Sequence, residues 1–188
     1  MNPAYQARTV SELLSFINAG ERPNYLFFWG HRKENGAVGA SCMSQWFGRS
    51  FTVDDVVYPT AEHYMMAGKA RLFHDDAVLA DILASTDPSK VKALGRKVKG
   101  YDESRWVAHR FAIVVAGNYA KFSQNEALKA FILSTGDKVL VEASPVDQIW
   151  GIGLAREDAN ATHPDKWNGL NLLGFALMEV RDMLRSAD

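Results

Sequence analysis

The strongest constraint on the fold is a succession of helix-start signals through the middle of the chain, with no strand pattern between them. Pro59 and Thr60 open a helix that runs to about Phe73, with Thr60 suited to the N-cap. A shorter helix spans Asp75 to Leu83. Asp87-Pro88 starts another, pairing a capping carboxylate with proline at the first helical position. Asp102 caps a long helix near Glu103 to Phe122, whose apolar side is Trp106, Phe111, Ile113, Val114 and Val115. Asn125 to Leu133 adds one more, closed by Gly136.

The flanks are more mixed. Thr9 to Gly20 reads as a helix that buries Leu13, Leu14, Phe16 and Ile17. Tyr25 to Trp29 is short, aromatic and strand-like, and Val139 to Ala143 reads as a buried strand. Ser41 to Arg49 is irregular. Phe51-Thr-Val and Val56-Val-Tyr58 flank Asp54-Asp55 as a hairpin. A glycine-bearing loop covers Asp147 to Gly153, and Asn171 to Leu184 makes the last amphipathic helix. Strands and helices do not alternate regularly, which argues against a Rossmann or P-loop sheet. Neither a G-x-G-x-x-G after a strand nor a Walker A pattern is present. The expected fold is mainly α with a few short β-strands, an α+β domain.

At 188 residues one domain is the default, and 47% hydrophobic with 23% charged residues is an ordinary globular balance. The net charge of −1 supplies no global basic field, so a nucleic-acid substrate would need a local basic patch. One cysteine, Cys42, excludes a disulfide framework within the chain and a multi-cysteine zinc site. The N-terminus does not read as a secretory signal, and the apolar stretches are shorter than a membrane span. A cytoplasmic protein without membrane partners is the expectation. Five histidines fall into no zinc pattern, so no metal is implied.

Two stretches carry chemistry. In Tyr58-Pro-Thr-Ala-Glu62-His-Tyr-Met-Met-Ala-Gly-Lys69, Glu62 falls in the first turn of a helix. There it either complements the helix dipole or sits at a cleft mouth. Lys69, seven residues on, shares that face roughly 10 Å along the axis. That separation is too long for a salt bridge and suits the bracketing of a ligand. Asp147-Gln-Ile-Trp150-Gly151-Ile-Gly153 offers a carboxylate for sugar hydroxyls, an indole face for a base, and glycines that let backbone approach a ligand. A turn around a core tryptophan explains the same pattern. Trp106 reads as core on its helix, and Arg96 as either a phosphate ligand or an exposed cation.

Taken in order, Leu26-Phe-Phe-Trp29-Gly30-His31, Ser44-Gln45-Trp46, Tyr58 to Lys69, Ala93-Leu-Gly-Arg96, Trp106, Gly117-Asn-Tyr-Ala-Lys-Phe122, Leu140-Val-Glu142, Asp147 to Gly153 and Gly169 to Gly174 form a specific series. The series resembles the YbiA-like, or NADAR, family from about residue 25 to 185. That resemblance implies a YbiA-like domain over 25–188, preceded by a helical extension over 1–24, and N-glycosidase activity. Family substrates carry ribose on an exocyclic amine: ADP-ribosyl guanine, or phosphoribosylamino-pyrimidine intermediates of riboflavin synthesis. The resemblance puts the family's functional glutamate, tryptophan and aspartate on Glu62, Trp106 and Asp147. Lys69 joins them as a candidate nucleophile or phosphate ligand. Trp29, Gly30, Gln45, Arg96, Trp150, Gly151 and Gly153 are candidate substrate-binding positions. Some bacterial members have Ser-Asn-Phe where this chain has Ser44-Gln45-Trp46, a departure that bears on the substrate more than on the chemistry; the closer resemblance to the stand-alone NADAR type implies ADP-ribosyl guanine, in DNA, RNA or free nucleotide, as the partner.

No cofactor is required. In one route the C1–N bond stretches toward an oxocarbenium-like ion stabilised by Glu62. In the other the sugar opens to an imine and neutral Lys69 exchanges with the base amine. A non-catalytic ADP-ribose sensor and a partner-binding helical domain are the competing classes.

Overall fold

A computed structural model describes residues 3–31 and 38–187. The first two residues of the N-terminal extension and the last residue of the chain lie outside that range. Seven α-helices and four short strands make up its main elements: α1 (Val10–Asn18), β1 (Tyr25–Phe28), β2 (Phe51–Val53), β3 (Val56–Tyr58), α2 (Ala61–Leu72), α3 (Asp76–Ala84), α4 (Pro88–Gly95), α5 (Glu103–Ser123), α6 (Glu126–Ser134), β4 (Val139–Glu142) and α7 (Leu172–Ala187). This is the helix-dominated α+β architecture that the cap signals imply.

The chain forms two compact units. One comprises Met1–Ser44 with Ala127–Asp188, and the other Gln45–Glu126. In the first, β1 and β4 pair in parallel, Tyr25 opposite Val139 through Phe28 opposite Glu142. α7 packs on β4, and its Leu173, Phe175, Ala176, Leu177 and Val180 are all buried. Gly174 permits that approach, because a Cβ there would lie 2.1 Å from the Leu140 carbonyl oxygen. Arg8 ties the N-terminal segment to the same helix, with ion pairs of 2.6 Å to Glu179 and to Asp182.

The second unit is built on α2 crossing α5. The helices approach through two glycines: a Cβ on Gly68 would lie 2.7 Å from Ile113, and one on Gly117 2.4 Å from the Tyr64 ring. The N-caps read from the sequence, Thr60, Asp87 and Asp102, are in place, and Asp75, read as the first residue of its helix, is a cap as well. Each accepts a backbone N–H from the first turn that follows, satisfying donors that have no intrahelical partner. The β2–β3 hairpin turns through Asp54 (φ 49°) and Asp55 (φ 62°), a pair of left-handed residues matching the twist of a type I′ turn.

Several boundaries differ from the sequence reading. The first strand stops at Phe28, short of Trp29, because Gly30 at φ 81° turns the chain. The irregular stretch from Ser41 contains a short 3₁₀ turn, Ala40–Met43. The last helix starts after Asn171, whose φ of 52° is not helical, and runs on to Ala187.

Candidate functional site

In the unit Gln45–Glu126, α2 carries the densest set of buried polar groups. Glu62 is only 2% exposed. It lies in the first turn of α2, where the partial positive charge of the helix N-terminus favours a carboxylate. Its backbone N–H donates to the Gln45 carbonyl at 2.9 Å, so a residue well before α2 in the chain ties down the start of the helix. Gln45 is itself buried. Its Oε1 accepts from Asn118 Nδ2 at 2.7 Å, and its Nε2 reaches Met65 Sδ at 3.9 Å.

His63, next in sequence, is a structural residue. Its Nε2 lies 3.0 Å from the Ser85 carbonyl, which can only accept, so Nε2 carries the proton. Nδ1 then accepts from the Thr60 hydroxyl at 2.8 Å. Both nitrogens are used in the neutral form, and burial holds the pKa below its ordinary value, against the Ser85 hydrogen bond and the field of Asp87.

Two turns further along α2, the Lys69 ammonium faces two rings. Nζ lies 4.3 Å from the Tyr101 ring centre and 5.4 Å from that of Trp106. Trp106, on the first turn of α5, is 7% exposed. Tyr101 precedes the Asp102 cap, packs on Phe73 at 5.4 Å, and donates its hydroxyl to the Glu103 carboxylate. Burial lowers the Lys69 pKa, and the Glu103 charge opposes that shift. The Tyr101 hydroxyl is pushed up to about 12, first by burial and then by the bond to Glu103, so it stays protonated. The sequence singled out Lys69 and Trp106 separately, and the fold brings them together. It missed Tyr101, which carries no signal beyond its place before a cap. Arg96, at the C-cap of α4, is exposed.

In the unit formed by the two ends of the chain, Asp147 to Gly153 is a tight loop held by its own backbone. Asp147 Oδ1 accepts from the N–H groups of Ile149 (2.8 Å) and Trp150 (2.7 Å). The Gly153 N–H returns to the Asp147 carbonyl at 3.1 Å, with Gly153 at φ 68°. A Cβ on Gly151 would lie 2.8 Å from the Glu142 oxygen, and one on Gly169 2.3 Å from the Gly151 oxygen. Asn171, fully buried, clamps this layer: its Nδ2 donates to the Leu140 carbonyl (2.9 Å) and its Oδ1 accepts from the Glu142 N–H (3.0 Å). Sequence reasoning missed Asn171 as well. An asparagine two residues after a glycine reads as turn punctuation, while its clamp on β4 is a long-range property.

Trp29 and Gly30 line a cavity of about 450 Å³ in the same unit, with Phe27, Phe28, Ser41 and Arg156 among its walls. Trp29 is 58% exposed, an open ring at the rim. The Ser41 hydroxyl is buried with no hydrogen-bond partner among the described residues. Among the described residues there is also no cluster of three or more side chains able to hold a metal, and no helix long and apolar enough to cross a membrane.

Comparison with known proteins gives this geometry a context. Residues 27–185 match the NADAR domain family. The chain is 42% identical over 167 residues to the N-glycosidase R617 of Acanthamoeba polyphaga mimivirus, covering 86% of this chain and 97% of that one. It is 32% identical over 145 residues to the N-glycosidase Npun_R5314 of Nostoc punctiforme, covering 77% and 86%. The fold matches the NMR structure of Escherichia coli YbiA with a TM-score of 0.71 at 25% identity, over 88% of each chain.

Proposed function

The chain belongs to the NADAR domain family and is an N-glycosidase; from that premise we propose that its substrate is guanine bearing ADP-ribose on the exocyclic amino group, cleaved to free base and ADP-ribose. The observation that carries the chemistry is the Lys69 amine, held against Tyr101 and Trp106 on the helix that begins with Glu62. Burial shifts that amine toward the neutral form, which is the form a nucleophile needs.

A ribosyl amine differs from an ordinary glycoside in one respect. Its nitrogen lone pair can open the sugar ring, leaving C1 doubly bonded to nitrogen while the ring oxygen takes a proton. Lys69 Nζ adds to C1 of that imine. The base amine takes a proton and leaves, and the lysine becomes the imine partner of C1. Water then adds to C1, the C1–Nζ bond breaks, and the open-chain sugar recloses with Lys69 restored. One water is consumed per bond cleaved. Glu62 takes and returns the protons of both nitrogen exchanges, as a buried carboxylate at a helix N-terminus can. In the same proposal Trp106 walls the amine from water.

The choice of substrate rests on where this chain departs from bacterial relatives. The sequence resembles the stand-alone members of the family, and identity to Escherichia coli YbiA is 30% over 132 residues against 42% over 167 to the viral relative. Mass spectrometry of products decides it. Purified protein is given an ADP-ribosylated guanosine oligonucleotide and, separately, a phosphoribosylamino-pyrimidine. Release of unmodified oligonucleotide and ADP-ribose is expected; turnover of the pyrimidine alone would reassign the substrate to the riboflavin intermediates, and turnover of neither would favour an ADP-ribose sensor.

A further inference from the structure

We infer that Tyr101 and Glu103 form a positioning pair for Lys69: the tyrosine ring holds the amine in place, and the tyrosine hydroxyl holds the Glu103 carboxylate where its charge acts on that amine. The inference rests on the reading of Lys69 as the nucleophile and deepens it by naming what orients and tunes it.

Three observations converge on this pair. The Lys69 amine is nearer to the Tyr101 ring than to Trp106, 4.3 Å against 5.4 Å, so the exposed tyrosine makes the closer contact. A ring face attracts the ammonium and fixes the end of a side chain that otherwise has four free torsions. Tyr101 is itself anchored at both ends. Its ring packs on Phe73, over which the Arg105 guanidinium also lies at 5.7 Å, and its hydroxyl donates to the Glu103 carboxylate. Finally, Glu103 is the charged group whose field acts on Lys69, and it favours the ammonium. Asp102 is engaged elsewhere, capping α5 through the Arg105 N–H and accepting from the Ser104 hydroxyl. Burial and Glu103 therefore pull the amine in opposite directions, and Tyr101 touches both partners.

This arrangement answers a demand of the proposed chemistry. The amine must be neutral to add to C1, yet an amine that is neutral and loose would sample many rotamers. A ring contact restrains it in either protonation state. The carboxylate keeps the amine basic enough to form a protonated imine, the species that water attacks. Tyr101 is 42% exposed, so its substitution tests position rather than folding.

Lys69 reactivity is read in two ways on the full-length protein, both by peptide mass spectrometry. The first is the pH midpoint of acylation at Lys69 by an amine-reactive ester, which needs no substrate. The second is the yield of adduct at Lys69 after incubation with ADP-ribose and borohydride, which reduces the imine of its open-chain aldehyde to a stable amine. Glu103→Gln removes the charge and is expected to move the acylation midpoint to lower pH. Tyr101→Leu is expected to cut trapped adduct by about 10-fold, while Tyr101→Phe, which keeps the ring, stays within about 3-fold of wild type. Thermal unfolding of each variant confirms that the comparison is between folded proteins. An unshifted midpoint in Glu103→Gln, or wild-type trapping in Tyr101→Leu, overturns the inference. Wild-type protein that traps no adduct, with the Glu103→Gln shift present, removes the nucleophile reading and leaves the pair's hold on Lys69 standing.

Discussion

The face of α2 and α5 and the loop from Asp147 to Gly153 both present polar side chains, and they are held in opposite ways. On the helices the backbone bonds beyond the first turn are made within the helix, so the Lys69 side chain is free to lie against the rings of Tyr101 and Trp106, while Gln45 holds the backbone at the start of α2. In the loop the side chain of Asp147 holds the backbone, through two N–H groups, and glycines admit neighbouring carbonyls within 3 Å of where a Cβ would be. A helix leaves its side chains available for chemistry. A tight loop spends part of its polar equipment on its own shape.

The largest effects should separate these two roles. Lys69→Met keeps the length and packing of the stem and removes the amine. It should cut single-turnover cleavage by about 1,000-fold or more with the unfolding temperature nearly unchanged. Asp147→Asn keeps the oxygen that accepts from Ile149 and Trp150, so it should fold normally, while Asp147→Ala should lose about 1–2 kcal/mol in denaturant unfolding. If Asp147→Asn also loses cleavage while folded, the carboxylate charge is chemical and the contrast between helix and loop narrows.

The glycines test the backbone side of the same contrast. Gly169→Ala sets a methyl against the Gly151 and Gln148 carbonyls, which cannot rotate away, and should cost about 3 kcal/mol. Gly117→Ala meets the Tyr64 ring instead, which can shift, and should cost about half as much. Equal losses measured by urea unfolding would mean that the loop is no stiffer than the helix crossing.

A smaller effect comes from His63. Its folded pKa lies below the ordinary 6.5, so the unfolded chain takes up the proton first. Its contribution is complete above pH 6.5 and is lost as pH falls from there through the folded value. The unfolding temperature should decline as pH falls below the ordinary 6.5, and a folded His63→Gln variant should lack that component. The smallest predicted change is a gain. Asp55→Gly removes the strain of a left-handed residue in an exposed type I′ turn and should add about 0.5–1 kcal/mol by thermal unfolding.

The helices were legible because their signals are local. Thr60, Asp87 and Asp102 sit within three residues of the donors they cap, and all three do so in the structure. Glu62 and Lys69 stand out as candidates from their spacing and from the family series that contains them. Tyr101 was not, because it meets Lys69 across 32 residues of chain through a ring contact that leaves no trace in any periodicity. The same holds for Asn118, which steadies Gln45 from 73 positions away, and for Asn171, whose amide bridges two backbone groups of β4 from 29 and 31 positions away. Asp147 stood out from its surroundings as a polar residue before two glycines, yet sequence could not say that one of its oxygens already has work inside the loop.

The account turns on Glu62, and single-turnover cleavage by Glu62→Gln measures it most directly. The substitution keeps the shape and leaves the Gln45 bond to the backbone in place, so circular dichroism should match wild type. Release of ADP-ribose from an ADP-ribosylated guanosine oligonucleotide should fall by at least about 100-fold at every pH tested. A folded Glu62→Gln protein that cleaves at the wild-type rate would contradict the account and move the proton chemistry to another residue.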